Sequence, residues 1–208
     1  MTTVLNASEQ RVLLRAVSWE TYARIVAERG EDSGPRLTYD CGMLEIMVPS
    51  FRHETLKEAI AKLFELLAES MDMDYVSAGS TTFRREDLSK GFEPDACFYT
   101  HQASSIRGKD TIDLNIDPPP DLVIEIDVTR SSLDKLGIYA AVGVREIWRY
   151  TDGVLQILEF DGHGYVGRST SSLLRTVTAE ALTEHVRSHQ QLPANEWVRQ
   201  VREFAAKI

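Results

Sequence analysis

The sequence predicts an α/β protein built around a mixed central β-sheet flanked by helices. Two patterns predict this class. Segments in which apolar residues recur every three or four positions are interspersed with short segments that alternate between apolar and polar residues. Their order is helix, hairpin, helix, strands, helix, hairpin and helical tail, which argues against a doubly wound parallel sheet because hairpins pair antiparallel. One domain over residues 1–208, with a helical tail from about 193 to 208, accounts for the whole chain.

The first third of the chain predicts two helices separated by a hairpin. A short helix is expected over Ser18–Glu28, because a serine side chain accepts hydrogen bonds from the free amides of the first helical turn. Residues 37–40 and 43–48 are predicted to form a β-hairpin. Residues 53–70 have the apolar spacing of an amphipathic helix and place His53 on its inner face.

The middle of the chain predicts short strands and two loops. Strands are expected at 75–78 and 81–84, followed by a charged loop over 84–91. A further strand is predicted from Pro94 to Tyr99, with proline at its first position, where a missing backbone donor matters least. Residues 101–120 are polar and rich in proline, and they are predicted to be a long loop.

The second half begins with the clearest strand pattern in the sequence. Apolar and other residues alternate over 121–128, and either serine of the pair Ser131-Ser132 is expected to cap a helix that runs to about residue 141. Residues 145–150 and 154–160 are predicted to form a hairpin around an Asp-Gly turn.

Composition excludes several classes of protein. Hydrophobic residues at 43% and charged residues at 26% are ordinary globular values, unlike those of disordered, collagen-like or coiled-coil chains. Twenty-three basic and 32 acidic side chains give a net charge of −9, which argues against simple electrostatic adhesion to nucleic acid or to an anionic membrane. The two cysteines lack C-x-x-C spacing, and no apolar run approaches the roughly 18 residues of a membrane span. We therefore expect a cytoplasmic protein without a membrane partner.

One predicted apolar strand carries two carboxylates, Glu125 and Asp127, on the same face. Burying two like charges is unfavourable unless another group offsets their repulsion. A divalent cation is the simplest such group, since Mg²⁺ and Mn²⁺ prefer oxygen ligands and need few of them from the protein. Asp95 is the expected third ligand if its strand pairs with this one. The alternative is that both carboxylates are solvated or paired with Arg130 or Lys135.

Several short motifs stand in a consistent order on these elements: Pro94-Asp95, Glu125-Ile126-Asp127, residues 131–135 and residues 146–150. Arg52-His53-Glu54 and residues 119–125 add to them. Together, over about 17–192, the motifs resemble the PD-(D/E)XK nuclease superfamily and, more narrowly, the restriction endonuclease domain family that is abundant in cyanobacteria. The resemblance implies a restriction-endonuclease-like fold.

The resemblance also implies metal-dependent hydrolysis of DNA phosphodiester bonds, with Mg²⁺ as the cofactor and Mn²⁺ as a substitute. It implies Asp95 and Glu125 as metal ligands, together with the Ile126 carbonyl. The superfamily places a lysine two residues after the glutamate, where this chain has Asp127, which is predicted to be a further ligand or a base. Lys135 is the expected substitute for that lysine, as a group that orients water or stabilises charge. The alternative is a solvated helix lysine that is paired with Asp134 or Glu125.

Four histidines need separate interpretation. By the resemblance, His53 approaches the metal, its water or a phosphate, while a histidine satisfied within the core is the alternative. His185 and His189 are four residues apart on a possible helix, but they lack the glutamate of an H-E-x-x-H motif and a third ligand. Gly162-His163-Gly164 is predicted to be a hairpin turn.

The expected partners are DNA, bound weakly and with metal, and a second copy of the chain, because cutting a duplex needs two sites. Five basic residues in loops flanking the predicted site are expected to contact backbone phosphates: Arg84, Arg85, Lys90, Arg107 and Lys109. Two alternatives remain open. One is a catalytically inactive nuclease fold that serves as a binding or dimerisation module, and the other is a metal-dependent hydrolase of small phosphate esters.

Overall fold

The computed structural model describes residues 9–30, 34–128 and 133–208. In chain order its strands and helices are β1 (Gln10–Leu14), α1 (Trp19–Arg29), β2 (Arg36–Asp40), β3 (Met43–Val48), α2 (Phe51–Ser70), β4 (Val76–Gly79), β5 (Phe83–Arg85), β6 (Lys90–Phe92), β7 (Ala96–Tyr99), α3 (Ala103–Ile106), β8 (Leu122–Asp127), α4 (Lys135–Val142), β9 (Glu146–Thr151), β10 (Val154–Phe160), β11 (Tyr165–Arg168), α5 (Ala179–His189) and α6 (Ala194–Ala205).

Within these residues the strands form two sheets, and this confirms the predicted mixed α/β class. The larger sheet has the order β11-β10-β9-β8-β7-β4, in which β8 and β9 are parallel and the other neighbours are antiparallel. The smaller sheet is antiparallel, with the order β1-β3-β2-β6-β5. The strands that carry the predicted site, β7 and β8, are neighbours in the larger sheet.

The two faces of β8 pack against different helices, as its alternating sequence predicts. Leu122, Ile124 and Ile126 belong to a core that also contains apolar residues of α2, α5 and α6. Val123 faces the other way, into a core that includes Ile138 and other residues of α4. Since each fully buried aliphatic side chain contributes about 1.5–3 kcal/mol, this two-sided burial fixes the position of β8 between the layers.

Local sequence explains where several elements begin and turn. The Ser50 hydroxyl accepts a hydrogen bond from the His53 amide at 3.2 Å, so that α2 begins at Phe51, two residues earlier than predicted. Asp152 and Gly153 both have positive φ, at 51° and 80°, which suits the tight turn between β9 and β10. Asp134 caps α4, while the predicted caps Ser131 and Ser132 lie outside the described residues.

Residues 84–91, predicted to be a charged loop, instead contain the β5–β6 hairpin, which pairs with β2. The reason is a tertiary contact, because the Tyr22 ring packs so closely on Gly91 that a Cβ there would lie 2.1 Å from the tyrosine oxygen. The strand predicted from Pro94 begins at Ala96, since the Asp95 side chain, and not its backbone, bonds to β8. The short edge strands β1 and β11 were not predicted.

The predicted helical tail is α6, which packs with α5 and α2. The His185 ring lies 4.8 Å from that of Phe204, and the His189 ring lies 4.8 Å from that of Trp197. Both histidines therefore pack against aromatic side chains of α6. No helix in the described ranges is long and apolar enough to cross a bilayer.

A buried carboxylate ties β9 to the segment that leads into α5. Glu146 is 0% exposed. Its Oε1 accepts hydrogen bonds from Trp148 Nε1 at 2.7 Å and Ser171 Oγ at 2.6 Å, and its Oε2 accepts from the amide and hydroxyl of Ser172 at 2.6 and 2.7 Å. Four donors thus replace the water that the carboxylate loses on folding.

We predict that Glu146→Gln lowers the free energy of unfolding by about 2–4 kcal/mol, because an amide nitrogen would then face hydrogen-bond donors in a buried site. Urea denaturation measures the change. Glu159→Gln, in the partly exposed pair with Arg168, is the control and should cost less than about 1 kcal/mol. Equal losses in the two variants would contradict this account of Glu146.

We also predict that His185 makes the fold less stable in mild acid. Burial lowers the pKa of His185 below its ordinary value, so below about pH 6.5 the unfolded chain takes up a proton that the folded chain resists. Stability from this group is present at neutral pH and is lost as the pH falls. His185→Leu should lose less unfolding free energy than the wild type between about pH 7.5 and pH 5. The same loss in both proteins would show that His185 has no such effect.

Candidate active site

The predicted site residues come from β8 and from three elements around it. Asp95 immediately precedes β7, and the pairing of Ala96 with Ile124 brings it beside β8. Glu125 lies in β8, Lys135 is the first residue of α4, and His53 lies in the first turn of α2. The structure brings these four side chains together around Glu125 and Ile126 of β8.

Asp95 is a buried carboxylate bonded to the backbone of the neighbouring strand. It is 1% exposed, and its Oδ2 accepts a hydrogen bond from the Ile126 amide at 2.7 Å. Nε2 of His53 lies 3.2 Å from the same oxygen. The other oxygen, Oδ1, is buried without a hydrogen-bond partner in the described part of the chain. Such an atom is a candidate ligand for a cation.

Glu125 is held by two side chains of α4. It is 4% exposed, and its Oε2 accepts a hydrogen bond from Lys135 Nζ at 2.7 Å. Its Oε1 accepts one from the Tyr139 hydroxyl. Lys135 and Tyr139 are four residues apart and share one face of α4, so a single helix face supplies both donors.

The two carboxylates differ in acidity. Burial raises the pKa of Glu125 above its ordinary value; Lys135 opposes this and the charge of Asp95 adds to it. Burial also acts to raise the pKa of Asp95, but His53, Lys135 and the Ile126 amide outweigh it and hold that pKa below its ordinary value. The pair therefore takes its first proton on Glu125, while Asp95 stays ionised.

The neighbouring groups keep their protons. Burial acts to lower the pKa of Lys135, but the charges of Glu125 and Asp95 raise it above its ordinary value. Burial, followed by the charge of Glu125, raises the pKa of Tyr139 well above its ordinary value. Lys135 is thus a buried ammonium ion, 9% exposed. The alternative interpretation was right that Lys135 pairs with Glu125 and wrong that its side chain is solvated.

His53 lies among carboxylates, and its side chain is completely buried. Glu54 Oε1 is 3.6 Å from Nδ1 and Glu9 Oε2 is 3.9 Å from Nε2. Burial acts to lower the pKa of His53, but Asp95, Glu9 and Glu54 raise it above its ordinary value. His53 therefore compensates part of the negative charge around Asp95.

Asp127 has a different environment. Its Oδ2 accepts a hydrogen bond from Arg149 Nε at 2.5 Å. Asp127, Glu125, Lys135 and Arg149 line a cleft of about 430 Å³. Among the described residues, no three or more His, Cys, Asp or Glu side chains are grouped so that they could hold a metal ion. The role of Asp127 as a metal ligand stays a prediction.

Asp95 and Glu125 nevertheless suit a hard divalent cation. They are buried oxygen donors, one in β8 and the other immediately before the adjacent strand β7, and one oxygen of Asp95 has no hydrogen-bond partner in the described residues. Mg²⁺ is commonly bound by one or two protein carboxylates, with water and substrate as its other ligands. The Ile126 carbonyl is a further oxygen of the same strand.

Sequence reasoning missed three features of the site. The proximity of Tyr139 to the site could have been predicted, since it is four residues after Lys135 on the same helix. Arg149 becomes a neighbour of Glu125 through the parallel pairing of β8 and β9, which no local pattern reveals. Arg11, which bridges Glu9 and Glu45 at 2.6 and 2.7 Å, is brought near His53 by tertiary packing of β1 on β3.

Most of the basic residues predicted to contact DNA have acidic partners, and Arg84, Arg85 and Lys90 lie in strands β5 and β6 and not in loops. Arg84 is exposed. The pairs are Arg85 with Asp87, Lys90 with Asp40, Arg107 with Asp74 and Lys109 with Asp117. The pair of Arg107 with Asp74 is exposed, and such a pair contributes at most about 1 kcal/mol, so Arg107 can still contact a phosphate. The pairs of Lys90 and of Lys109 are partly or largely buried, so these lysines are less available.

Comparison with known proteins supports the nuclease interpretation. Residues 19–193 match the model of the Uma2 family, described as putative restriction endonuclease. No curated protein matches the chain significantly. Among solved structures, the crystal structure of a putative nuclease belonging to DUF820 from Anabaena variabilis matches with a TM-score of 0.54 and 11% sequence identity, over 77% of this chain and 96% of that chain. At this identity the likeness shows the fold alone, and it confirms the predicted nuclease-like fold.

We predict that Lys135→Met destabilises the protein by about 3–5 kcal/mol, because it leaves Glu125 buried without its cation. Adding Glu125→Gln should restore part of the loss, since the remaining side chain is neutral. Lys62→Met, in an exposed pair with Glu65, is the control, and urea denaturation is the measurement. If the two lysine variants lose equal stability, Lys135 does not compensate a buried charge.

Proposed function

Since this chain belongs to the Uma2 family of putative restriction endonucleases, we propose that it is a Mg²⁺-dependent endonuclease that hydrolyses phosphodiester bonds of DNA. Mn²⁺ is expected to substitute for Mg²⁺. The observation that carries the proposal is the buried pair of Asp95 and Glu125, with an Asp95 oxygen lacking a partner in the described residues and an ammonium ion beside Glu125. An ion pair that served only the fold would be complete with Glu125 and Lys135, and it would not need the second buried carboxylate of Asp95.

In this proposal Asp95 and Glu125 hold the cation, and the Ile126 carbonyl completes the protein's share of the ligands. Bound there, a divalent cation supplies a water of lowered pKa and offsets negative charge on the phosphate. His53 is a positioning residue in this scheme, because its ring lies against Oδ2 of Asp95, while the buried Oδ1 has no hydrogen-bond partner in the described residues.

Lys135 takes the part of the lysine that the superfamily places two residues after the glutamate. Its ammonium group lines the cleft next to Glu125 and is protonated. A protonated amine can donate to the attacking water or to an oxygen that gains charge in the transition state. The acidic residue at the usual lysine position is then compatible with activity.

A smaller phosphate diester is the second candidate substrate. It is favoured by the net charge of −9 and by the acidic partners of the basic residues predicted to contact DNA. An aryl phosphodiester and a supercoiled plasmid, each incubated with the protein and Mg²⁺, separate the candidates. Cleavage of the aryl ester without cleavage of the plasmid would favour the smaller substrate. An inactive module would cleave neither.

We further propose that the active form is a cytoplasmic homodimer. Cutting both strands of a duplex calls for two sites, and a closed dimer is the simplest assembly that supplies them. Both cysteines, Cys41 and Cys97, are free thiols, which suits a reducing compartment. Sedimentation of the purified protein tests the dimer, and a single species with the mass of one chain would contradict it.

We predict that Asp95→Asn and Glu125→Gln each abolish plasmid cleavage and Mg²⁺ uptake, because each removes an anionic ligand while preserving volume. Lys135→Ala should lower turnover by about 100-fold or more, in line with the loss of one transition-state donor, and should leave Mg²⁺ affinity nearly unchanged. Gel analysis of nicked and linear plasmid, together with calorimetry, gives both quantities.

Glu184→Gln on α5 is the charge-matched control, and it should cut like the wild type. Thermal unfolding of every variant excludes misfolding as the cause of lost cleavage. Full cleavage by Asp95→Asn, or no cleavage and no Mg²⁺ uptake by the wild type, would contradict the proposed function.

A further inference from the structure

The cleft beside Glu125 contains a guanidinium group in register with the predicted metal ligands. The parallel pairing of β8 and β9 places Arg149 opposite Glu125, and the antiparallel pairing of β9 and β10 places Gln156 opposite Arg149. Paired residues of neighbouring strands project from the same face of a sheet and are about 5 Å apart. Glu125, Arg149 and Gln156 therefore form one polar row across the sheet, and all three line the cleft.

The row next to it is apolar. Ile147 pairs with Val123 on one side and with Leu158 on the other, and α4 covers this part of the face. Along each of these strands, this face of the sheet therefore changes within two residues. The apolar part is covered by α4, and the polar part lines the cleft. A volume of about 430 Å³ is within the range of small-ligand sites.

Asp127 fixes the orientation of the Arg149 side chain. Its carboxylate is the buried half of the pair, with 11% of its side chain exposed, whereas 39% of the Arg149 side chain is exposed. The contact uses the Nε–H of Arg149. A guanidinium has five N–H donors. Among the described residues the structure shows a hydrogen bond only from Nε, so the four N–H groups on the outer nitrogens have no partner within this part of the chain.

The cleft contains two cationic side chains, Lys135 and Arg149, which are each paired with one carboxylate, Glu125 and Asp127 respectively. Asp134 and Asp152 also line the cleft, so its six charged side chains sum to −2, and a divalent cation at Asp95 and Glu125 would offset that charge. An anion would therefore be bound by the guanidinium itself and not by a net positive charge of the cleft. A planar guanidinium fixed along its Nε edge presents two parallel donors, the geometry that phosphate oxygens accept best.

We propose that Arg149 binds a backbone phosphate of the nucleic acid substrate in this cleft and that Asp127 is the positioning residue that orients it. This inference rests on the proposed function, because it takes the ligand to be a phosphodiester backbone. It also gives a physical reason for an aspartate two residues after Glu125. At that position a carboxylate can orient an arginine of the next strand. Lys135 then supplies the positive charge that the lysine of the superfamily motif would provide.

The test is the affinity of the purified protein for a fluorescein-labelled DNA duplex, measured by anisotropy with Ca²⁺ and with EDTA over a range of salt concentrations. Arg149→Ala should weaken binding by about 10-fold or more and should lower the slope of log affinity against log salt by about one. Arg149→Lys should restore only part of the affinity, since an ammonium cannot present two parallel donors. Arg199→Ala removes the same charge from α6, which packs on the opposite face of the sheet, and should bind like the wild type.

Asp127→Asn tests the positioning role. It should weaken binding about 3- to 10-fold, and the double variant Asp127→Asn, Arg149→Ala should bind no more weakly than Arg149→Ala alone, because coupled residues are not additive. Mg²⁺ uptake by Asp127→Asn, measured by calorimetry, should equal that of the wild type. Additive losses, or lost Mg²⁺ uptake, would overturn the positioning role and return Asp127 to the metal ligands.

The inference as a whole is overturned if Arg149→Ala keeps the affinity and salt slope of Arg199→Ala, or if the wild type binds no DNA in either buffer. Failure of the proposed function has a different signature. In that case binding depends on Arg149 and on salt as predicted, while plasmid cleavage in Mg²⁺ is absent or is unchanged by Asp95→Asn.

Discussion

The contact between Lys135 and Glu125 is the interaction on which the site depends. Strand β8 is buried on both faces, and a carboxylate at its centre would be strongly unfavourable without a cation beside it. Asp134 caps α4, so Lys135 is its first residue, and Tyr139, one turn later, reaches the other oxygen of Glu125. Asp95 lies immediately before the adjacent strand β7, with its own partner, His53. Each buried carboxylate is thus compensated by a side chain from a different helix: Glu125 by Lys135 of α4 and Asp95 by His53 of α2.

In the proposed function, this arrangement separates two tasks that the motif of the superfamily assigns to neighbouring positions of one strand. The carboxylates suited to a cation are Asp95 and Glu125, whereas the available ammonium comes from the following helix and the guanidinium from the parallel strand β9. Membership of the Uma2 family and a nuclease-like fold at 11% identity fit such a redistribution, because a shared fold fixes the positions of strands and not the residues on them. The same core can therefore present cationic groups from different elements.

The fold was largely predictable where the signal was local. Alternation in β8 and the Asp152-Gly153 turn both depend on near neighbours in the chain, and both were correct. The β5–β6 hairpin was missed because its position depends on Tyr22 packing over Gly91, a contact between distant residues. In the site, β7 and β8 were each predicted as strands from their pattern, but their pairing was only a condition of the prediction. The partnership of Asp127 with Arg149 could not be predicted, since parallel register has no turn to set it. The burial of Lys135 likewise could not be predicted, because it results from tertiary packing and not from the usual preference of lysine for the surface.

The central claim is that Asp95 and Glu125 form a cation site. Crystals soaked in Mn²⁺ and measured at the manganese absorption edge test it most directly, since the anomalous signal locates the ion without any assumption about activity. The account predicts a peak within bonding distance of Asp95 Oδ1 and of a Glu125 oxygen, and no such peak in Asp95→Asn crystals treated in the same way. A map without a peak at these carboxylates at saturating Mn²⁺, or with a peak held by other residues alone, would contradict it.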